Sequence, residues 1–450
     1  MHSAPVVIVM TSNGVGMGHL SRQLATVLSA GERMRAVVLS LSGALPRVAA
    51  AAEHGELPEA EGLGLRFEYC PSWESPWLTV PGRPAFVDRV QRNTRWAAYL
   101  RDRIVALARE TGASALVFDG VAPYRGLLAA RKQLPSVRFA WVRRGMWHPS
   151  APPRRLEASR HFDLTIAPRD IAEAFDRGPT VGRSDASPVA PVSLTSALHL
   201  TDRAHARAAL GLPAEGPVLL LAPGAGVLRP VEAVVAEVLE RTAGSGWHVA
   251  LTRQAIARHA GAAEAEHVTV LDDVYPLARH LAAFDASIGA AGYNAVHELS
   301  AARVPSIFLP NPRTTTDDQL ARGAGLESMG VALVSDGSDL GRAVECLLDE
   351  SERARLREAM GSLPAPEGSA QAAELVLDLA SEGAPDVAPL VPRTPPPSPV
   401  RLPRGGALSE QVDGRVVRGS EPVEHVLAGA SEEYREVRRR AARWVFRTPR

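Results

Sequence analysis

The chain has 450 residues, 50 basic and 50 acidic side chains, no formal net charge and 46% hydrophobic residues. That length points to about two or three domains with a sizeable core, and the charge balance argues against an electrostatic nucleic-acid binder. Two cysteines, Cys70 and Cys346, are too few for a disulfide framework or a zinc site. No apolar run reaches membrane-spanning length, and no basic segment leads an apolar one at the N-terminus, so the expected setting is the reducing cytoplasm. Lys132 is the only lysine, which reads as genome composition.

In chain order, Pro5–Met10 is a short apolar run with β-branched residues, the pattern of a buried parallel strand. Gly14, Gly16 and Gly18 follow, then His19, then Leu20, Leu24, Val27 and Leu28 at helical spacing. This is a strand-to-helix turn. It aims bare backbone N–H groups and the positive end of a helix at whatever lies above the sheet. It is not a dinucleotide fingerprint: the spacing is GxGxG, and the strand Arg35–Ser40 lacks the acid that would hold a ribose. On residues alone, packing and phosphate cradling both stay open.

Further strands are expected at Leu65–Tyr69, Ala115–Gly120, Val137–Gly145 and Asp163–Pro168, with helices over Phe86–Glu110 and Gly126–Lys132. Alternation of this kind predicts a doubly wound α/β domain over 1–190. Pro, Gly and Ser collect over Arg177–Ser193, which reads as a linker. The rhythm restarts with a short helix near 203–210 and an apolar strand running into a second glycine turn, Pro223–Gly226. It continues through a helix at Val231–Arg241, the strands WHVALT and VTVLDD, a helix at Pro276–Ala283, a strand ending in Gly289–Gly292, a helix at Ala295–Ala302 and the strand in VPSIFLPNP. That predicts a second α/β domain over 200–382. A Pro-rich flexible tail over 383–430 and a basic terminal helix over 431–450 complete the plan.

The densest chemistry lies in Ser287–Gly330. Asn294 can cap a helix, and Glu298 follows within two turns, where a carboxylate suits a diol and the helix N-terminus suits a phosphate. Asp317, Asp318 and Gln319 open another helix; an acid–amide pair there grips sugar hydroxyls, or Asp317 or Asp318 is a plain N-cap.

The run GAAGYNAVHELSAARVPSIFLPN…DDQLARGAG resembles the donor half of GT-B glycosyltransferases, enzymes with two Rossmann-like domains facing a cleft. Within them it resembles the bacterial, family 28-like branch containing the peptidoglycan N-acetylglucosaminyltransferase that forms lipid II. GVGMGHLSR resembles the N-terminal turn of that branch, and PGAG its second glycine turn. The resemblance spans roughly 5–380, in order. It implies a nucleotide-sugar donor, UDP-linked, with Glu298 on the ribose, Gly292, Tyr293 and Asn294 beside the diphosphate, Gly224 and Gly226 under the phosphates, Val274 and Tyr275 flanking the base, and Asp318 and Gln319 near the donor sugar. His19 matches the cleft histidine and is the expected general base, its ordinary pKa lying near working pH.

The acceptor side departs from that branch. WVRRGMWHP (Trp141–Pro149) and PSWESPW (Pro71–Trp77) stand in place of its loops. Arg143 and Arg144 suit phosphates and Trp147 a sugar face, with Gly16 and Gly18 letting an acceptor near the backbone; local packing is the alternative. The acceptor is a small molecule, a glycan or a lipid-linked sugar. A lipid acceptor would suit peripheral membrane contact through the terminal helix, at the inner face. No cofactor and no metal are expected, because the chain contains no Asp-x-Asp. The expected reaction is inverting sugar transfer to a hydroxyl. The alternatives are a nucleotide-sugar hydrolase or epimerase, and a non-catalytic nucleotide-sugar-binding helper.

Overall fold

The strands end where their apolar runs end, and within each of the two large sheets every described pairing is parallel. A computed structural model describes residues 4–12, 17–73, 85–224, 232–253, 266–272, 274–314 and 316–386, and the backbone of 411–412 and 415–416. In the first half, β1 (Val6–Thr11) leads to α1 (Gly18–Ala30), then β2 (Arg35–Ser40), α2 (Leu45–Glu53), β3 (Arg66–Tyr69) and the long α3 (Ala85–Thr111). After it come β4 (Ala115–Asp119), α4 (Arg125–Arg131), β5 (Arg138–Val142), β6 (Leu164–Pro168) and β7 (Ser187–Val189). The seven strands lie in the order β3-β2-β1-β4-β5-β6-β7. β7 falls inside the stretch read as a linker. It pairs in parallel with β6 from Ile166↔Ser187 to Pro168↔Val189. A three-residue edge strand containing proline carries too little periodicity to be seen in sequence.

The second half runs α5 (Arg203–Ala209), β8 (Val218–Ala222), α6 (Glu232–Thr242), β9 (His248–Arg253), β10 (Val268–Asp272) and β11 (Ala286–Ala290). It continues with α7 (Tyr293–Ala301), β12 (Ser306–Leu309), α8 (Gln319–Ser328), β13 (Leu333–Val334), α9 (Leu340–Leu348), α10 (Glu350–Met360) and α11 (Gly368–Glu382). Its sheet has the order β10-β9-β8-β11-β12-β13. The helix expected at Pro276–Ala283 is a 3-10 helix over Leu277–Ala283, broken at His280 by a non-helical φ of −107°.

Burial on both faces explains the unbroken apolar strands. One face of the first sheet packs with α1, α2 and α11, and Tyr275 and Ala278 from the second half join that cluster. The other face packs with α3 and α4 around Phe118, Phe139 and Trp141. The second sheet has its own cluster, from Val218 through Ile288 and Ile307 to Met360. Both halves lie within one compact unit, Met1–Ala388. Residues Pro389–Arg450 form a separate unit, described only as a short antiparallel pair, Gln411–Val412 with Arg415–Val416. The expected terminal helix lies outside the described residues. Among the described residues no helix is long and apolar enough to cross a membrane.

Candidate active site at the two switch points

In each sheet the strand order reverses once, between β1 and β4 and between β8 and β11. Crevices outside the carboxyl ends of the strands at such points hold ligands. At the first point, α1 begins at Gly18 and sets His19 one residue into the helix. β4 ends at Asp119, 1% exposed, and its carboxylate gathers the first turns of α1. His19 Nδ1 lies 2.7 Å from Asp119 Oδ1. Arg22 donates to both carboxylate oxygens, at 2.8 and 2.6 Å, and Gln23 Nε2 donates at 3.2 Å. These donors hold the Asp119 carboxyl far below the usual carboxylate range against the cost of its burial. An ionised Asp119 accepts a hydrogen bond from the His19 Nδ1–H, which favours that tautomer and leaves Nε2 basic. Burial lowers the His19 pKa, Asp119 opposes that, and Arg22 and Arg144 reinforce it. The imidazole is therefore neutral at pH 7.

The second point is barer. β8 leads into Pro223-Gly224, and Gly224 has φ +92°, a left-handed conformation that a side chain would strain. Gly226 lies outside the described residues, as do Gly14 and Gly16 of the first turn. β11 leads through Gly292 into α7, so the α7 N-terminus points out of the sheet end. Tyr293 and His297 are anchors. The Tyr293 hydroxyl donates to Arg169 O at 3.0 Å and accepts from Val192 N at 3.0 Å. His297 Nε2 accepts from Ile171 N at 3.1 Å, and burial pulls its pKa down to about 4. Asn294 bridges the switch points: its Nδ2 donates to Gly18 O at 3.2 Å, and Arg22 Nη1 reaches its Oδ1 at 3.5 Å. One turn further along α7, Glu298 has no hydrogen-bond partner among the described residues, and burial pushes its pKa up to about 8. Tyr275 is 5% exposed and packed in the apolar cluster of the first sheet, with its hydroxyl in the field of this acid; Val274 is half-buried.

The remaining sequence candidates divide. Arg144 lies with its guanidinium 5.0 Å over the Tyr293 ring and donates to Asp317 at 3.1 Å, so it belongs to the site. Arg143 does not: it is buried in a two-pronged pair with Asp185, at 3.1 and 2.8 Å. Trp147 is 2% exposed, packed with Ala151 and Leu156, and offers no open ring face. Asp318 caps α8, accepting from Ala321 N at 3.0 Å. Gln319 is held between Asn311 N at 2.9 Å and Asp317 Oδ2 at 3.0 Å. Of PSWESPW only Pro71, Ser72 and Trp73 are described.

Asp119, Arg22, Asp170 and Arg322 escaped the sequence reading. An acid ending an apolar strand was the only signal of Asp119. Arg322, Asp170 and Asp317 form a buried ion network across the halves. Arg322, with no exposure, donates to Asp170 at 2.8 Å, to Asp317 at 2.7 Å and to Ala291 O at 3.0 Å. Met146, at φ +55°, accepts from Asp318 N at 2.6 Å, and so seats α8 on the loop after β5.

Against known proteins, residues 251–376 match the glycosyltransferase family 28 C-terminal domain. A UDP-N-acetylglucosamine–N-acetylmuramyl-(pentapeptide) pyrophosphoryl-undecaprenol N-acetylglucosamine transferase of Clavibacter sepedonicus is 31% identical over 185 residues, 39% of this chain and 49% of that protein. The protein of the same name from Acidothermus cellulolyticus is 29% identical over 295 residues, 63% of this chain and 75% of its own. The chain thus spans about half the length of the first of these relatives. Among solved structures, the calicheamicin glycosyltransferase CalG4 aligns with a TM-score of 0.53 at 18% identity, over 86% of this chain and all of that one, 100%. Phytolacca americana UGT2 aligns with a TM-score of 0.55 at 16% identity, over 84% of this chain and 100% of that one. Residues 251–376 of this chain thus match the family 28 C-terminal domain, and the chain's two parallel sheets have the GT-B architecture of the glycosyltransferases.

Proposed function

We propose that the chain transfers a sugar from a nucleotide diphosphate donor, UDP-linked as in the names of its relatives, to an acceptor hydroxyl, with inversion. The observation that carries this reading is the His19–Asp119 contact of 2.7 Å at the first switch point, bridged by Asn294 to the start of α7.

In this reading His19 Nε2 takes the acceptor proton as the oxygen attacks the anomeric carbon. Asp119 holds the ring and stabilises the imidazolium that forms. The glycosidic bond to the diphosphate breaks on the opposite face. The leaving charge is met by the N-terminus of α7, nine residues long, and by the backbone at Gly224. No metal step is invoked, since the chain carries no Asp-x-Asp. Glu298 accepts from the ribose hydroxyls. Arg144 stands at the junction and is the acceptor-side residue best placed to meet an anionic acceptor. Asp318 and Gln319 line the donor sugar through the backbone they fix. A glycan or lipid-linked acceptor fits the relatives' names, and vesicle sedimentation of the full chain tests whether residues 431–450 add membrane contact.

The test separates the two switch points. His19→Ala abolishes turnover and leaves UDP affinity within about three-fold, while Glu298→Ala weakens UDP binding. Turnover that survives His19→Ala removes the base; UDP affinity that survives Glu298→Ala removes the donor assignment. Donor hydrolysis without acceptor dependence in the wild type would favour a hydrolase.

A further inference from the structure

Arg22 takes no part in the proton transfer described above, yet it donates two hydrogen bonds to Asp119 where His19 donates one. Arg22 follows His19 by three positions and Gln23 by four, so all three share one face of α1. That face meets Asp119. A carboxylate offers about four lone-pair sites on its two oxygens. Here His19 Nδ1 and Arg22 Nη2 lie on Oδ1, and Arg22 Nε and Gln23 Nε2 on Oδ2. The planar fork of Arg22 therefore fixes the plane of the carboxylate, and with it the ring bonded to that carboxylate. Arg22 is 2% exposed and is itself held from the second half. Its guanidinium carbon lies 5.4 Å from the centre of the Tyr293 ring, and its Nη1 lies 3.5 Å from Asn294 Oδ1.

The charge of Arg22 matters as well as its fork. Arg22 Nη2 lies 3.0 Å from His19 Nδ1. A neutral ring tolerates that neighbour, whereas an imidazolium would set a second positive charge beside it on the same carboxylate. We propose that Arg22 is a positioning residue for sugar transfer: it fixes the Asp119 carboxylate from which the His19 ring hangs and, by sharing that carboxylate, keeps the ring a free base until the acceptor proton arrives. The inference rests on the reading of His19 as the base. The charged groups acting on His19 are Arg22 on α1, Asp119 from β4 and Arg144 from the loop after β5. α7 sets the uncharged Asn294 and Tyr293 against this turn of α1, and burial raises the Tyr293 pKa. Asp119 favours the imidazolium, and the two arginines oppose it. Without Arg22, Asp119 acts on His19 with one cation fewer against it, so the ring takes up its proton at higher pH and is lost as a base there.

Magnetic resonance of the full chain carrying nitrogen-15-labelled histidine reads both the ring pKa and the nitrogen that holds the proton. The signal lost in His19→Ala identifies His19 among the 13 histidines. In the wild type the proton should sit on Nδ1 and the pKa should lie below the usual value of about 6.5. Arg22→Gln, which loses charge and fork, should raise the His19 pKa by about 1 or more. Arg22→Lys, which keeps the charge and loses the fork, should stay within about 0.5 of the wild type. Thermal melting checks that both variants fold. A His19 pKa that Arg22→Gln leaves in place, or that Arg22→Lys raises as far as Arg22→Gln does, overturns the inference. A wild-type ring that titrates at or above the usual value overturns it without any variant. The base reading is decided separately, by the turnover of His19→Ala.

Discussion

The two switch points use opposite chemistry. The first is crowded with paired charge: His19, Arg22 and Gln23 all converge on Asp119. The second is bare backbone around Gly224 and Gly292, with one carboxylate, Glu298, that burial keeps near a pKa of about 8. A group already satisfied within the protein can hold a geometry and manage a proton. A buried group left without a hydrogen-bond partner costs stability until a ligand completes it. In the function proposed above, that contrast corresponds to proton transfer at the first point and ligand capture at the second.

The largest expected effect is on the crowded side. Asp119→Asn keeps the shape but loses the charge that fixes the His19 tautomer, and sugar-transfer kcat should fall by roughly 10²–10⁴ with little change in KM for donor. A change in KM alone would recast Asp119 as a binding residue. His19 has its pKa lowered by burial, so the wild-type acid limb should lie below the usual histidine value of about 6.5. With donor saturating, kcat is retained as pH falls to that value and is lost further below it. The ion network that joins the halves comes next: Arg322→Ala leaves Asp170 and Asp317 buried without their shared cation and should cost roughly 3–5 kcal/mol, read by chemical denaturation.

On the bare side, Glu298→Ala should weaken UDP binding by about 10- to 100-fold. The wild-type affinity should also depend on pH. Binding a diol favours the ionised carboxylate, so the bound pKa falls below the free value of about 8. Affinity is then highest above pH 8 and declines by up to about ten-fold per unit as pH drops below it. Glu298→Gln should flatten that slope, and an unchanged slope would place the proton elsewhere. The smallest effect belongs to Asp318→Ala, about 1 kcal/mol of stability for a lost helix cap; a drop in transfer rate well beyond that would give Asp318 a direct role at the sugar.

The same contrast governs what could be read from sequence. The bare switch point is local: strand, glycine turn, helix and Glu298 lie within one short segment, so pattern and resemblance both find it. The crowded one is assembled by tertiary approach. Arg22 meets Asp119 across 97 positions and Arg322 meets Asp170 across 152, distances over which periodicity says nothing. Asp119 left a faint mark, as the acid ending an apolar parallel strand on the ligand side of a sheet. The stretch WVRRGMW shows why composition misleads at such places. Its two arginines and its second tryptophan read alike in sequence, yet folding sends Arg143 and Trp147 inward and leaves Arg144 at the junction.

One measurement tests the division of labour most directly: calorimetric titration of UDP into the wild type, His19→Ala and Glu298→Ala at pH 8.5. The account predicts binding by the wild type and by His19→Ala within about three-fold of each other, and binding about ten-fold or more weaker by Glu298→Ala. Loss of UDP affinity in His19→Ala with none in Glu298→Ala would reverse the roles of the two switch points and contradict the account.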